Sequence, residues 1–320
     1  MPSTVLEVLA QRRATGDKND GYKLGLVVEG GGMRGVITAG ALAYLCDHDM
    51  LQFFDVGYGQ SAGALNLCYA AAGRPWRGIS VYYDHLATNR FIAYTRRAQK
   101  QPIMDLHLVR NEVITNLVPL SYSDTLAGPI PLMFDVSDLN NAETRTLTIS
   151  DCEDQVTFRD YLVAGCHIPI MAGPPPRIEG TDLADGALFR AHPVYIAEAD
   201  NATHVLSLES RLLTAGERLG WVEPFVARAL DQFNPVGGAR YLNAAMQYYE
   251  DRDKTGLGTG SLRGMQVERL ALELDRLPVR RDTLDRFQLL EGVRLGYTMA
   301  ERLFDPGAAP SVFRVVSPEA

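Results

Sequence analysis

Leu24-Gly25-Leu26-Val27-Val28-Glu29-Gly30-Gly31-Gly32-Met33-Arg34-Gly35 opens as an apolar run and closes in a glycine-rich turn. The run from Leu24 to Val28, bounded by a turn signal, has the length and composition of a buried strand. The segment Val36 to Cys46 is apolar nearly all round and reads as a helix packed on a covered sheet. The order then repeats: Phe53 to Tyr58 reads as a strand, Gly59-Gln60-Ser61-Ala62-Gly63 as a turn, and Ala64 to Ala72 as a helix. Two strand–loop–helix units with short connections predict an α/β fold built on a mainly parallel sheet.

The two turns carry the chemistry. Gly-x-Ser-x-Gly spacing sets Ser61 on a sharp strand-to-helix bend with its hydroxyl exposed. Gly59 and Gly63 allow strand and helix to approach where side chains would collide, and the helix start favours negative charge. In the first turn, Gly30 to Gly35 form a loop whose N–H groups at Gly31, Gly32 and Met33 can face an oxyanion. Arg34 is expected to hold that loop by pairing with a carboxylate or carbonyl. An anion cradle beside an exposed serine implies acyl transfer. Its sharpest competitor is a dinucleotide site, since Gly30, Gly32 and Gly35 also satisfy G-x-G-x-x-G, and Asp49 and Asp55 fall about where a ribose-binding acid would. Glu29 at the strand end counts against a pyrophosphate there, and the acid-bearing strand would run straight into the serine turn.

A base for Ser61 can be sought in two places. Asp185, His192 and His204 follow the serine in the order of an ordinary α/β-hydrolase triad, but Asp185 and His192 are too close together for that arrangement. His167 and His192 each stand near a proline and read as structural or turn residues. Asp185-Gly186-Ala187, after the hairpin-like stretch Ile178 to Ala184, supplies a carboxylate that can take a proton directly once it is partly desolvated.

The rest of the chain bounds these readings. Its 320 residues carry 31 basic and 39 acidic side chains, a formal charge of -8, which disfavours nucleic acid as a partner. Cys46, Cys68, Cys152 and Cys166 show no CxxC or zinc spacing, so reduced thiols and no metal are expected. No signal-peptide pattern or membrane-length apolar run is present, and a cytoplasmic protein is expected. Residues 1–21 read as a short helix and flexible lead-in, 22–210 as the catalytic domain, and 211–320 as a mainly helical extension with a strand near Val267 to Leu274. Within the domain, 74–129 reads as a helical insertion. Its aromatic and basic residues at 76–100 form either a lid for peripheral membrane contact or, more ordinarily, a solvated helix with a buried aromatic face. Pro131 to Val136 and Thr144 to Ile149 read as a strand pair, Thr157 as the cap of a helix toward Cys166, and Thr203 to Leu208 as a strand. A last helix is expected from Thr283 to Phe304.

Gly30-Gly31-Gly32-Met33-Arg34-Gly35, Gly59-Gln60-Ser61-Ala62-Gly63 and Asp185-Gly186-Ala187, in that order, resemble the patatin-like phospholipase family. The segment from Ala164 to Pro176 is similar as well. The resemblance implies a three-layer α/β/α patatin-like fold with a Ser61–Asp185 dyad, no catalytic histidine, and no metal or other cofactor. It implies the glycine loop as oxyanion hole and fatty-acyl esters of phospholipids, lysophospholipids or glycerides as substrates. Ala191-His192 departs from the asparagine that many members carry there. An acyltransferase using the same dyad, and a non-catalytic lipid-binding protein, are the alternatives.

Overall fold

A computed structural model describes residues 4–212, 219–220, 222–255 and 259–307. Nine strands form one mixed sheet: β1 (Leu24–Val28), β2 (Val56–Gly59), β3 (Leu132–Asp138), β4 (Glu143–Thr148), β5 (Arg177–Ile178), β6 (Thr181–Asp185), β7 (His204–Leu212), β8 (Thr259–Leu262) and β9 (Met265–Leu272). Their order is β5-β6-β3-β2-β1-β7-β9-β8, with β4 also paired to β3. The five central strands β3, β2, β1, β7 and β9 run parallel. The edges are closed by antiparallel pairs.

The helices are α1 (Val5–Thr15), α2 (Val36–Asp47), α3 (Ala62–Ala71), α4 (Pro75–Ser80), α5 (Tyr122–Leu126), α6 (Gln155–Ala164), α7 (Pro169–Ala172), α8 (Val194–Ala199), α9 (Glu223–Leu230), α10 (Gly237–Thr255) and α11 (Arg286–Phe304). They cover both faces of the sheet, which makes a three-layer α/β/α sandwich. Alternation along β1 shows why. Leu24, Leu26 and Val28 join the large core with α2, α3 and α11, while Val27 joins Tyr58, Val205 and Ile196 on the other face. Helices α2 and α11 cross at close range, because a Cβ at Gly296 would overlap the Ile37 carbonyl oxygen and one at Gly40 that of Val293. No helix among the described residues is long and apolar enough to cross a membrane.

Several elements differ from the sequence expectations. Leu51–Phe53 is a single 3-10 turn and the strand begins only at Val56, since Phe54 and Asp55 serve as its entry turn. The helix of 155–164 is capped by Asp154, whose side chain accepts from the N–H groups of Val156 and Thr157, not by Thr157. The last helix starts at Arg286 behind the cap Asp285. The N-terminal segment is anchored: Val5, Val8, Leu9 and Arg12 are buried, and the Arg12 guanidinium pairs with Asp20 and Asp55. Residue 210 falls inside β7, and β9 pairs with that strand, so the sheet continues across the expected domain boundary. Residues 74–129 hold α4, α5, a 3-10 segment at Tyr94–Gln99 and wider π turns at Val81–Leu86 and Leu108–Leu117. Tyr82, Tyr83 and Phe91 in that insertion are buried, and Arg96 is held by the carbonyls of Asn89 and Arg90.

Candidate active site

Parallel pairing of β1 with β2 brings both turns to the same edge of the sheet, at the strands' carboxyl ends. Gly63 packs on the β1 end, where a Cβ would overlap the Val28 carbonyl. Gly30 rests on the serine turn itself, its nearest neighbours being the Gln60 carbonyl, Ser61 and the Ala62 nitrogen. Ser61 is held at φ 53°, ψ -134°, a strained conformation for a residue with a side chain, and forms the N-cap of α3. Gln60 braces this turn by donating from Nε2 to the Arg190 carbonyl at 2.7 Å. Gly59 lies against Ala64, and Gly35 and Ala62 pack together under the Tyr82 hydroxyl.

Strand register carries Asp185 to the same height. Gly59 pairs with Phe134 on one side of β3, and Asp185 pairs with Val136, two residues further along, on the other. Asp185 is 4 % exposed. Its N–H donates to the His167 carbonyl at 2.8 Å, and its Oδ1 accepts the Ala187 N–H at 2.9 Å. Burial pushes the carboxyl up to about 6, while the nearby Ser61 hydroxyl, the Ala187 N–H and the charge of Arg281 pull it down. Gly186 has no room for a side chain against Asp135.

The glycine loop is pinned from below. The Ser210 hydroxyl donates to the Gly30 carbonyl at 2.7 Å and to Glu29 at 3.0 Å, and Arg34 Nε donates to the same hydroxyl at 3.0 Å. Glu29 also pairs with Arg211 at 2.5 Å. The charges of Arg211 and Arg34 hold the Glu29 carboxyl ionised against full burial. Of the two acids considered for a ribose, Asp55 is consumed by structure, accepting from Arg12 and the Leu24 N–H. Gly31 (φ 133°) and Gly32 (φ 59°) need their freedom from a side chain. Among the described residues their N–H groups have no acceptor. The Met33 N–H differs, since it donates to the Arg281 carbonyl at 3.0 Å.

Ser61 opens into a cavity of about 540 Å³ lined mainly by apolar side chains of residues 78–114 and 163–171. No histidine is among its lining residues. His192 is buried elsewhere, stacked on Tyr248, with Nδ1 accepting the Val194 N–H, and burial pushes it down to about 3. His204 stands at the start of β7 against Tyr22. Cys166 lines the cavity beside Ser61, and burial keeps its thiol protonated. Neither Ser210 nor Arg281 stands out in the sequence, because each reaches the glycine loop from more than 170 residues away without a local motif.

No curated protein matches the chain in sequence. Among solved structures, VipD from Legionella pneumophila is similar, with a TM-score of 0.41 and 13 % identity, over 89 % of this chain and 67 % of that one. The sequence pattern of the patatin-like phospholipases matches residues 26–198, more than half of the chain and a span that holds the glycine loop, Ser61 and Asp185. The protein therefore belongs to the patatin-like phospholipase family, whose general activity is lipid acyl hydrolysis.

Proposed function

We propose that the protein hydrolyses fatty-acyl esters through Ser61 as nucleophile and Asp185 as general base. The observations that support this are Ser61, in a strained backbone conformation on the wall of an apolar cavity, and the buried Asp185 carboxyl, which strand register carries to the same height of the sheet. An acyl chain fills the cavity and brings its carbonyl to Ser61. As Oγ attacks, Asp185 takes its proton, and the N–H groups of Gly31 and Gly32 receive the oxyanion. One such donor contributes about 3–4 kcal/mol to the transition state. Asp185 returns the proton to the leaving alcohol, then takes one from the attacking water and passes it to Ser61 Oγ as the fatty acid leaves, which restores both groups. A carboxyl raised to about 6 is a useful base at neutral pH.

Tyr94, Ile170 and Val222 edge the cavity with exposed apolar surface, and Phe225 follows on α9. This rim supports peripheral contact with a lipid surface.

Turnover of acyl esters by the wild type, Ser61→Ala and Asp185→Asn tests the reading. Both variants are expected to fold and to lose turnover; a folded, active Ser61→Ala protein would sink it. Product analysis with an added alcohol separates hydrolysis from acyl transfer, and bound lipid without ester turnover would favour a binding protein.

A further inference from the structure

The cavity above Ser61 is apolar in its depth and charged at its mouth. Phe91, Ile92, Val109 and Ile114 are buried along its inner wall, which suits the acyl chain. With the acyl carbonyl at Ser61, the leaving alcohol must point back to the mouth, where Arg280, Arg281 and Asp282 form the edge.

These three residues are not equivalent. Arg280 pairs with Asp282 at 3.4 Å, and Asp282 also accepts from the Tyr94 hydroxyl at 2.8 Å. Arg281 is exposed, and its guanidinium has no hydrogen-bond or ion-pair partner among the described residues. Its backbone, in contrast, is fixed. The Arg281 carbonyl accepts the Met33 N–H at 3.0 Å, and Gly32 lies beneath it so closely that a Cβ there would stand 2.7 Å from that oxygen. A cation with no hydrogen-bond or ion-pair partner among the described residues is thus tethered to the glycine loop, on the wall of the cavity that Ser61 also lines. It stands near enough to act electrostatically on Asp185.

We propose that Arg281 is a specificity-determining residue that binds a phosphate carried by the leaving alcohol close to the scissile ester. The guanidinium fork matches phosphate oxygens through paired, charge-assisted hydrogen bonds. Arg281 lies beyond the residues that match the family pattern, so the segment between β9 and α11 adds selectivity to the shared catalytic core. The proposal rests on the acyl-ester hydrolase reading above.

The test compares octanoylglycerol with octanoylglycerol phosphate, two esters of one acyl chain, in the wild type, Arg281→Gln and Arg281→Lys. The readout is the ratio of kcat/KM for the phosphate ester to that for the neutral ester. The wild type should favour the phosphate ester, and Arg281→Gln should lower the ratio by about ten- to hundredfold, as loss of a charge-assisted hydrogen bond does. Arg281→Lys should restore part of it. Both variants keep the backbone carbonyl that holds Met33, so a structural role would change both esters alike and leave the ratio in place. A variant ratio within twofold of the wild type overturns the proposal. Inorganic phosphate separates a headgroup subsite from a free-anion site. Competition that raises KM for the phosphate ester at constant kcat supports the subsite, whereas a change of kcat on both esters overturns it. A wild type that hydrolyses neither ester sinks the hydrolase reading and this one with it; one that hydrolyses both at a ratio near one sinks this one alone.

Discussion

Gly30 and Ser61 are in contact across two loops: a Cβ at Gly30 would stand 2.8 Å from the Ser61 Cβ and 2.5 Å from the Gln60 carbonyl oxygen. The glycine loop is therefore seated directly on the serine turn, and the distance between nucleophile and free N–H groups depends on the absence of one methyl. Gly30→Ala forces one loop to shift. Loss of a single oxyanion donor costs about a hundred- to a thousandfold in kcat, and a fall of that order is expected. The strain should lower stability by only about 1–3 kcal/mol. Steady-state kinetics and urea unfolding check both parts; wild-type kcat in Gly30→Ala would show that the loop plays no part in the chemistry.

The pH profile follows from Asp185. Its carboxyl must be ionised to accept the Ser61 proton, and burial sets it at about 6. Activity should therefore be low below that value, rise tenfold per pH unit toward it, and level off above it. Asp135, also raised to about 6, is instead committed to an ion pair with Arg190. A kcat/KM profile that stays flat from pH 4 to 8 would contradict the assignment of the base.

Arg12 ties α1 to the sheet entry. Its side chain is fully buried and donates to Asp20, Asp55 and the carbonyls of Phe53 and Tyr22. Arg12→Ala leaves these acceptors without their donor, a defect that typically costs about 3–5 kcal/mol. Denaturant unfolding should show a loss of that size, while kcat per folded molecule stays near wild type because α1 is remote from the cavity. A loss under 1 kcal/mol would mean that the N-terminal segment is a loose lead-in after all.

The parts of this molecule that were legible in sequence are those whose physics is local. Leu24 to Val28 announces a covered strand, and Gly59 and Gly63 announce a tight strand-to-helix turn, because each constraint acts within a few residues. The hairpin before Asp185 is equally local, with Glu179 and Gly180 at positive φ between β5 and β6. What escaped reading depends on contacts distant in sequence. The Ser210 brace under Gly30, the seat of Arg281 on Met33 and the entry of β8 and β9 into the sheet involve partners that no periodicity links. Arg12 lies within the segment that reads as a flexible lead-in, and its burial becomes apparent only when Asp55 is brought beside it.

The central claim is that Ser61 is an activated nucleophile. Fluorophosphonate labelling of the wild type, Ser61→Ala and Asp185→Asn, with the modified peptide mapped by mass spectrometry, tests it most directly. The account predicts an adduct on Ser61 in the wild type, none in Ser61→Ala, and slow labelling in Asp185→Asn. A folded wild-type protein that takes no label, or takes it on Cys166, would contradict it.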